Sequence, residues 1–165
     1  MIVYLVGMPG SGKSTVGAEL AGRLGVPFLD LDVEIASEDG RSITEIFAAE
    51  REAGFRAREA KALLAASMHD PAVIACGGGV VLEPANRITL RSTGTCVFLD
   101  VPIDVLTSRV EPNEDRPLIR AQGDLERLLQ EREPLYREFA AHVVDGRDDP
   151  REVADAIVEE LRWNV

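Results

Sequence analysis

Apolar and polar positions along this chain repeat one theme: a short, uniformly apolar run, then a longer stretch with helical spacing. The apolar runs fall at Ile2–Val6, Pro27–Leu31, Ala72–Cys76, Thr95–Leu99 and His142–Val144. Runs such as VIAC and VFL have no polar alternation, as strands covered on both faces require. Helical patterns lie over Lys13–Leu24, Val33–Glu50, Arg51–Met68, Pro84–Arg91, Ile103–Arg109, Leu125–Ala140 and Pro150–Trp163. This alternation predicts an α/β fold, a parallel sheet with helices on both faces.

Several boundaries carry chemical signatures. Ser42-Ile-Thr-Glu45 reads as a capping box, and Asp149-Pro150 as a cap followed by proline at the first helical position. Pro134 interrupts the pattern LERLLQEREPLYREF and predicts a kink or restart there. Glu111–Gly123 (EPNEDRPLIRAQG) is polar, holds two prolines and lacks periodicity, which predicts a mobile loop.

With 165 residues, 45% hydrophobic and 28% charged, the chain is sized for one α/β domain spanning 1–165. No apolar run is long enough for a membrane span. The first apolar run stops at Gly7 and reads as a core strand rather than a signal peptide, so a cytoplasmic location is expected. Cys76 and Cys96 fall in predicted interior strands and read as small buried hydrophobes. A net charge of −11 argues against nucleic acid or an anionic membrane as partner. An anion-binding site in such a protein has to be a local cluster of arginines. The size suits a monomer.

Candidate chemistry begins at GMPGSGKST, Gly7 to Thr15, which satisfies G-x-x-x-x-G-K-[ST] between a strand and a helix. Its glycines let successive N–H groups converge on a phosphate, and the helix adds its positive end. Lys13 supplies a cation for the β- and γ-phosphates, and Ser14 a hydroxyl for Mg²⁺. The chain has no N-K-x-D guanine-reading motif, and it is short for a motor or transporter ATPase. A small phosphotransferase fits best.

On the acceptor side, Asp30 and Asp32 in PFLDLD read as the end of the second strand. There they would face the same way at the edge where such sheets bind ligands. One carboxylate would hold the Mg²⁺ water shell and the other would orient or deprotonate an acceptor hydroxyl. The alternative is that one only caps the next helix. Gly77-Gly78-Gly79 ends the third strand, and reads as a close approach to a ligand or as a flexible connector. Arg56, Arg116 and Arg132 are the arginines available to grip anions bidentately.

Taken in order, GMPGSGKST, LDLD, GRSITEIF, FRAREA, CGGGVV, DRPL and REPLYRE make the chain resemble shikimate kinases from about Val3 to Leu161. The resemblance implies a P-loop kinase fold: three layers, a five-stranded parallel sheet, a mobile lid near 111–123 and a helical substrate-binding region near 33–61. It implies transfer of the ATP γ-phosphate to the 3-hydroxyl of shikimate, in the route to chorismate and aromatic amino acids.

The resemblance also implies roles. Lys13, Asp32 and Arg116 would be catalytic, with Arg116 reaching from the lid to the transferring phosphate. Gly10, Ser11, Gly12, Lys13, Ser14, Thr15 and Arg116 would bind ATP, with Arg109 and Pro150 on either side of adenine. Asp32, Arg56, Gly77, Gly78, Gly79 and Arg132 would bind shikimate, the two arginines clamping its carboxylate. Glu59 would orient the substrate-side arginine. Ser14, and Asp30 through water, would hold one Mg²⁺ per ATP.

The rivals are another small P-loop kinase, such as a gluconate or nucleoside monophosphate kinase, and a non-catalytic nucleotide-binding regulator. The LDLD, GGG and REPLYRE set disfavours the first, and intact Lys13, Ser14, Asp32 and Arg116 disfavour the second. His69 and His142 lack ligand-spaced partners. Phe47 and Phe55 read as core or pocket wall, and Trp163 as packed on the sheet or exposed. Glu114 and Asp115, just before Arg116, would help hold an open lid.

Overall fold

A computed structural model of the protein describes residues 1–110, 116–121 and 123–162. Five parallel strands are joined side by side in the order β2-β3-β1-β4-β5. They are β1 (Ile2–Val6), β2 (Phe28–Asp30), β3 (Ala72–Ala75), β4 (Gly94–Asp100) and β5 (His142–Asp145). The helices are α1 (Lys13–Leu24), α2 (Leu31–Asp39), α3 (Ile43–Ala66), α4 (Pro84–Thr93), α5 (Ile103–Arg109), α6 (Asp124–Phe139) and α7 (Pro150–Glu160). A 3₁₀ turn at Val80–Leu82 links the third strand to α4; no periodicity marks so short an element.

The central strands β1, β3 and β4 are buried on both faces along most of their length, the edge strands β2 and β5 only in part, and successive residues feed two cores. Ile2, Tyr4 and Val6 of β1 join Ile74, Cys96 and Phe98 in the larger core, beneath α2 to α6. Val3 and Leu5 join Val73, Val97 and Leu99 in the smaller one, closed by α1 and α7. Both cysteines are buried free thiols. No helix among the described residues is long and apolar enough to cross a membrane.

Three local expectations change. The helical pattern over Val33–Glu50 divides: α2 ends at Asp39, Gly40 takes a left-handed conformation, and α3 starts after the Ser42 capping box. In that box Ser42 Oγ accepts from Glu45 N, and Glu45 accepts from Ser42 N at 2.7 Å. Second, α6 runs through Pro134 without restarting. The carbonyl that Pro134 leaves unbonded belongs to Gln130, an exposed residue, so water can take the place of the lost donor. Third, α7 stops at Glu160, short of the expected end at Trp163; the expectations for Trp163, Glu114 and Asp115 fall outside the described residues.

The break expected between Glu50 and Arg51 is a backbone feature inside α3. Arg51 has φ 61 and ψ −173, a region almost reserved for glycine. Its neighbour Glu50 is gripped from both sides, by Arg41 and Arg58 at 2.7 Å each. Arg58 also reaches Asp39 at 2.6 Å. These ion pairs tie the end of α2 to α3 across the break, and hold the two halves of α3 at a fixed angle.

Because the Arg51 side chain is exposed, its replacement should relieve only backbone strain. Arg51→Gly should raise stability by about 1 kcal/mol, a melting temperature about 3 °C higher. Arg51→Ala, which keeps the Cβ, should give no such gain in the same thermal scan.

Candidate active site

Parallel pairing of β1 with β3 brings two glycine loops to one sheet edge, Gly7–Gly12 after β1 and Gly77–Gly79 after β3. In the first, Gly7, Gly10 and Gly12 have φ 152, 80 and 90, values that a side chain would strain. The loop curls back through Ser11 N to Met8 O at 3.1 Å and opens onto the N-terminus of α1. The Lys13 ammonium donates to the carbonyls of Gly7 at 2.9 Å and Met8 at 2.8 Å. Desolvation lowers its pKa to about 8 against the opposing charges of Asp32 and Asp30.

Ser14 and Thr15 are exposed on the first turn of α1, and Ser14 Oγ donates to Asp30 Oδ2. A cavity of about 300 Å³ beside the cradle is lined by Gly10, Ser11, Gly12, Thr15, Arg109 and Pro150. The Arg109 guanidinium donates to Arg147 O at 3.0 Å and Gly10 O at 3.3 Å. It therefore joins the end of α5 to both walls of that cavity.

The strand argument for the LDLD carboxylates does not hold. β2 ends at Asp30, and Leu31 opens α2. Asp30 is the N-cap: Oδ1 accepts from Asp32 N at 3.0 Å and from Val33 N at 3.4 Å. Satisfying these free amides favours a helix over a longer strand. Asp32 thus sits in the first helical turn. The capping alternative is correct for Asp30, whose second oxygen nevertheless meets Ser14. Both carboxylates still stand at the C-terminal edge of the sheet.

A second cavity, about 400 Å³, lies between α3, α6 and the Gly77–Gly79 loop. Asp32, Arg56, Glu59, Gly77, Gly78, Gly79, Arg116 and Arg132 all line it, with Ile43, Phe47 and Phe55 as an apolar wall. Arg116 stands on its rim with Pro117, Leu118 and Ile119. The rest of the expected lid, 111–115 and 122, lies outside the described residues.

Charge is concentrated here despite the acidic chain. Arg56 and Arg132 are only 8% and 3% exposed, and Glu59 is fully buried. Arg56 Nη1 donates to Glu59 Oε1 at 2.8 Å. Arg56 Nε, Arg132 Nε and Glu59 Oε2 are buried with no hydrogen-bond partner. Unpaired buried polar atoms are costly, and the cavity beside them, walled by Asp32, Arg56, Glu59, Arg116 and Arg132, suits a polar ligand. Desolvation, then the neighbouring Asp30 charge, raises the Asp32 pKa against Lys13 and Arg56. Desolvation also raises Glu59, opposed chiefly by Arg56.

The triple glycine has a concrete cause. A Cβ on Gly77 would lie 2.6 Å from Glu59 Oε2 and 3.2 Å from Asp32 Oδ1. One on Gly78 would lie 3.0 Å from Arg132 Nη1 and 3.2 Å from Pro9 Cδ, and one on Gly79 would overlap the Arg56 guanidinium. Each glycine makes room for a charged side chain that faces the cavity. The loop is a floor rather than a flexible connector.

Sequence reasoning missed Tyr136, fully buried under that floor, whose hydroxyl donates to Gly78 O. Its only signal was its place within REPLYRE.

The family model for shikimate kinase matches residues 9–162. A shikimate kinase of Aromatoleum aromaticum is 46% identical, covering 95% of this chain and 94% of its own. One from Halorhodospira halophila is also 46% identical, over 97% and 93%. Among solved structures, shikimate kinase from Acinetobacter baumannii in complex with shikimate superposes with a TM-score of 0.94 at 37% identity, covering 98% of this chain and 92% of that one. A deoxyadenosine kinase from M. mycoides shares the fold alone, with a TM-score of 0.65 at 18% identity over 98% of this chain and 99% of that one.

Two tests follow from this geometry. Gly79→Ala pushes a methyl into the Arg56 guanidinium, and should raise the acceptor KM about 100-fold while the ATP dissociation constant stays within about twofold. Lys13, with a pKa near 8, loses its charge as pH rises through that value, whereas bound phosphates favour the charged form. ATP affinity should therefore weaken above about pH 8, and binding should take up a proton. Calorimetry in buffers of different ionisation enthalpy measures that uptake, and Lys13→Arg should abolish it.

Proposed function

The chain belongs to the shikimate kinase family, and on that premise we propose how its residues divide the transfer of a phosphoryl group from ATP to shikimate. One observation carries the assignment: two buried arginines and a carboxylate of raised pKa share a glycine floor beside the phosphate cradle, so close that a Cβ on Gly78 would lie 3.2 Å from Pro9 Cδ and 3.5 Å from Gly7 O.

Arg56 and Arg132, which both line the cavity, grip the shikimate carboxylate through their guanidinium groups. Opposite them, the Asp32 carboxylate accepts a hydrogen bond from the 3-hydroxyl. As the oxygen attacks the γ-phosphorus and the bond to the ADP oxygen breaks, the hydroxyl proton passes to Asp32. Its raised pKa makes it a better base than an ordinary aspartate. The products are shikimate 3-phosphate and ADP.

Gly10 and Gly12 present backbone N–H groups to the phosphates, Ser11 holds the turn between them through its N–H to Met8 O, and the hydroxyl of Thr15 stands beside them. Lys13 and Arg116 neutralise charge on the moving phosphoryl group. Arg109 and Pro150 border adenine. A lid over 111–123 and a substrate-binding region over 33–61 close the single domain on its ligands, and so keep water from competing as acceptor.

The residues also fit one Mg²⁺. Ser14 and Asp30 place two hard oxygen donors together at the cradle. Among the described residues no group of three or more His, Cys, Asp or Glu is arranged to hold a metal, so ATP oxygens and water would complete the shell. Ser14 would bind the ion directly and Asp30 through water, and the ion would supply charge stabilisation for the β- and γ-phosphates. With a net charge of −11, the protein works as a cytoplasmic monomer that binds neither nucleic acid nor membrane.

ADP release from Mg-ATP, measured separately with shikimate, gluconate and nucleoside monophosphates, tests the reading. Turnover with shikimate alone is expected. Asp32→Asn should lower kcat by about 100-fold or more with ATP binding unchanged. Turnover with another acceptor, or an unaffected variant, overturns the acceptor assignment.

A further inference from the structure

Tyr136 lies one helical turn beyond Arg132 on α6, and its side chain is fully buried. Its ring stacks on Phe98 of β4 at 5.1 Å between centroids. Its hydroxyl donates to Gly78 O, and the Arg132 charge opposes the rise of its pKa. Burial pushes the phenol pKa up to about 12, so it remains an O–H donor at every working pH.

Of the three floor glycines, Gly78 is the one whose Cβ would meet both the acceptor arginine and the cradle: Arg132 Nη1 at 3.0 Å, Pro9 Cδ at 3.2 Å and Gly7 O at 3.5 Å. The position of Gly78 therefore sets how far Arg132 stands from the phosphate cradle. Arg132 Nε has no partner, so the guanidinium is only partly held by its own bonds. Tyr136 is a rigid strut from the strand to this peptide, and no other described side chain hydrogen-bonds the Gly78 carbonyl.

The geometry points to Tyr136 as a positioning residue for the acceptor carboxylate: through Gly78 and Arg132 it fixes where that carboxylate sits relative to the γ-phosphate. This rests on the assignment of Arg132 to the carboxylate clamp. Tyr136 touches neither the cradle nor the nucleotide cavity, so its influence falls on one substrate only.

Steady-state kinetics of Tyr136→Phe, Arg132→Ala and the double variant test it. Tyr136→Phe keeps the ring and removes the donor, and should raise the shikimate KM about tenfold with the ATP KM within about twofold. In the Arg132→Ala background the same change should add less than about twofold, because the hydroxyl acts through the arginine. Phe98→Leu removes the stacked ring but spares the hydroxyl. It controls for packing and should lower the melting temperature with the shikimate KM nearly unchanged. Equal rises in both KM values for Tyr136→Phe, multiplicative effects in the double variant, or a KM rise in Phe98→Leu matching that of Tyr136→Phe overturn the inference. Should Tyr136→Phe fail to fold, Phe98→Leu still decides: a selective rise in shikimate KM there would make packing, not the hydroxyl, the cause. An unchanged shikimate KM in Arg132→Ala alone would instead sink the clamp assignment itself.

Discussion

Everything in the acceptor half depends on charge being held inside protein without being neutralised there. Arg56, Arg132 and Glu59 are almost wholly buried, and burial of ions is tolerated only when each is hydrogen-bonded or compensated. Arg56 is paired with buried Glu59 and, at 3.3 Å, with half-exposed Glu52. Among the described residues Arg56 Nε, Arg132 Nε and Glu59 Oε2 stay without a hydrogen-bond partner. The glycine floor is what permits three such groups to converge, since each missing Cβ is the space occupied by a guanidinium or carboxylate.

The sheet makes this convergence possible. A central β1 between β3 and β4 puts the loops after β1 and β3 side by side, so the phosphate cradle and the glycine floor touch. The strands at the centre are stabilised by cores on both faces, which leaves the loops at the edge free to serve chemistry. Strain sits away from the reacting groups, at Arg51, where ion pairs through Glu50 hold the chain against its own backbone preference.

Most of the fold was legible because it rests on local rules. The five strands follow from apolar runs, the α3 start from the Ser42 capping box, and the phosphate cradle from glycine spacing. The errors share a cause: a local rule was overruled by something the pattern does not encode. Period two placed Asp30 and Asp32 together on a strand, but the free amides of α2 claimed Asp30 first. Pro134 predicted a kink or a restart, and α6 does not restart, the orphaned carbonyl lying on its wet side. For Gly77–Gly79, spacing could say that something comes close; only the folded chain says that it is the protein's own Glu59, Arg132 and Arg56. Tyr136 escaped notice because a buried aromatic in a helix looks like core, and its hydroxyl gains meaning only from a loop 58 residues away.

The buried arginines also change how the substrate is found. Many enzymes acting on anions attract them from a distance with an open field of the opposite sign. Here the chain as a whole carries a net charge of −11, and the two arginines proposed to hold the acceptor carboxylate are buried. At physiological salt the surface field fades within about 8 Å, so on the proposed assignment an approaching carboxylate meets nothing until it is close, then weak repulsion, then two guanidinium groups at contact range. Capture is a matter of fit at the mouth rather than of guidance, and the protein discriminates among the many anions around it only after they have entered.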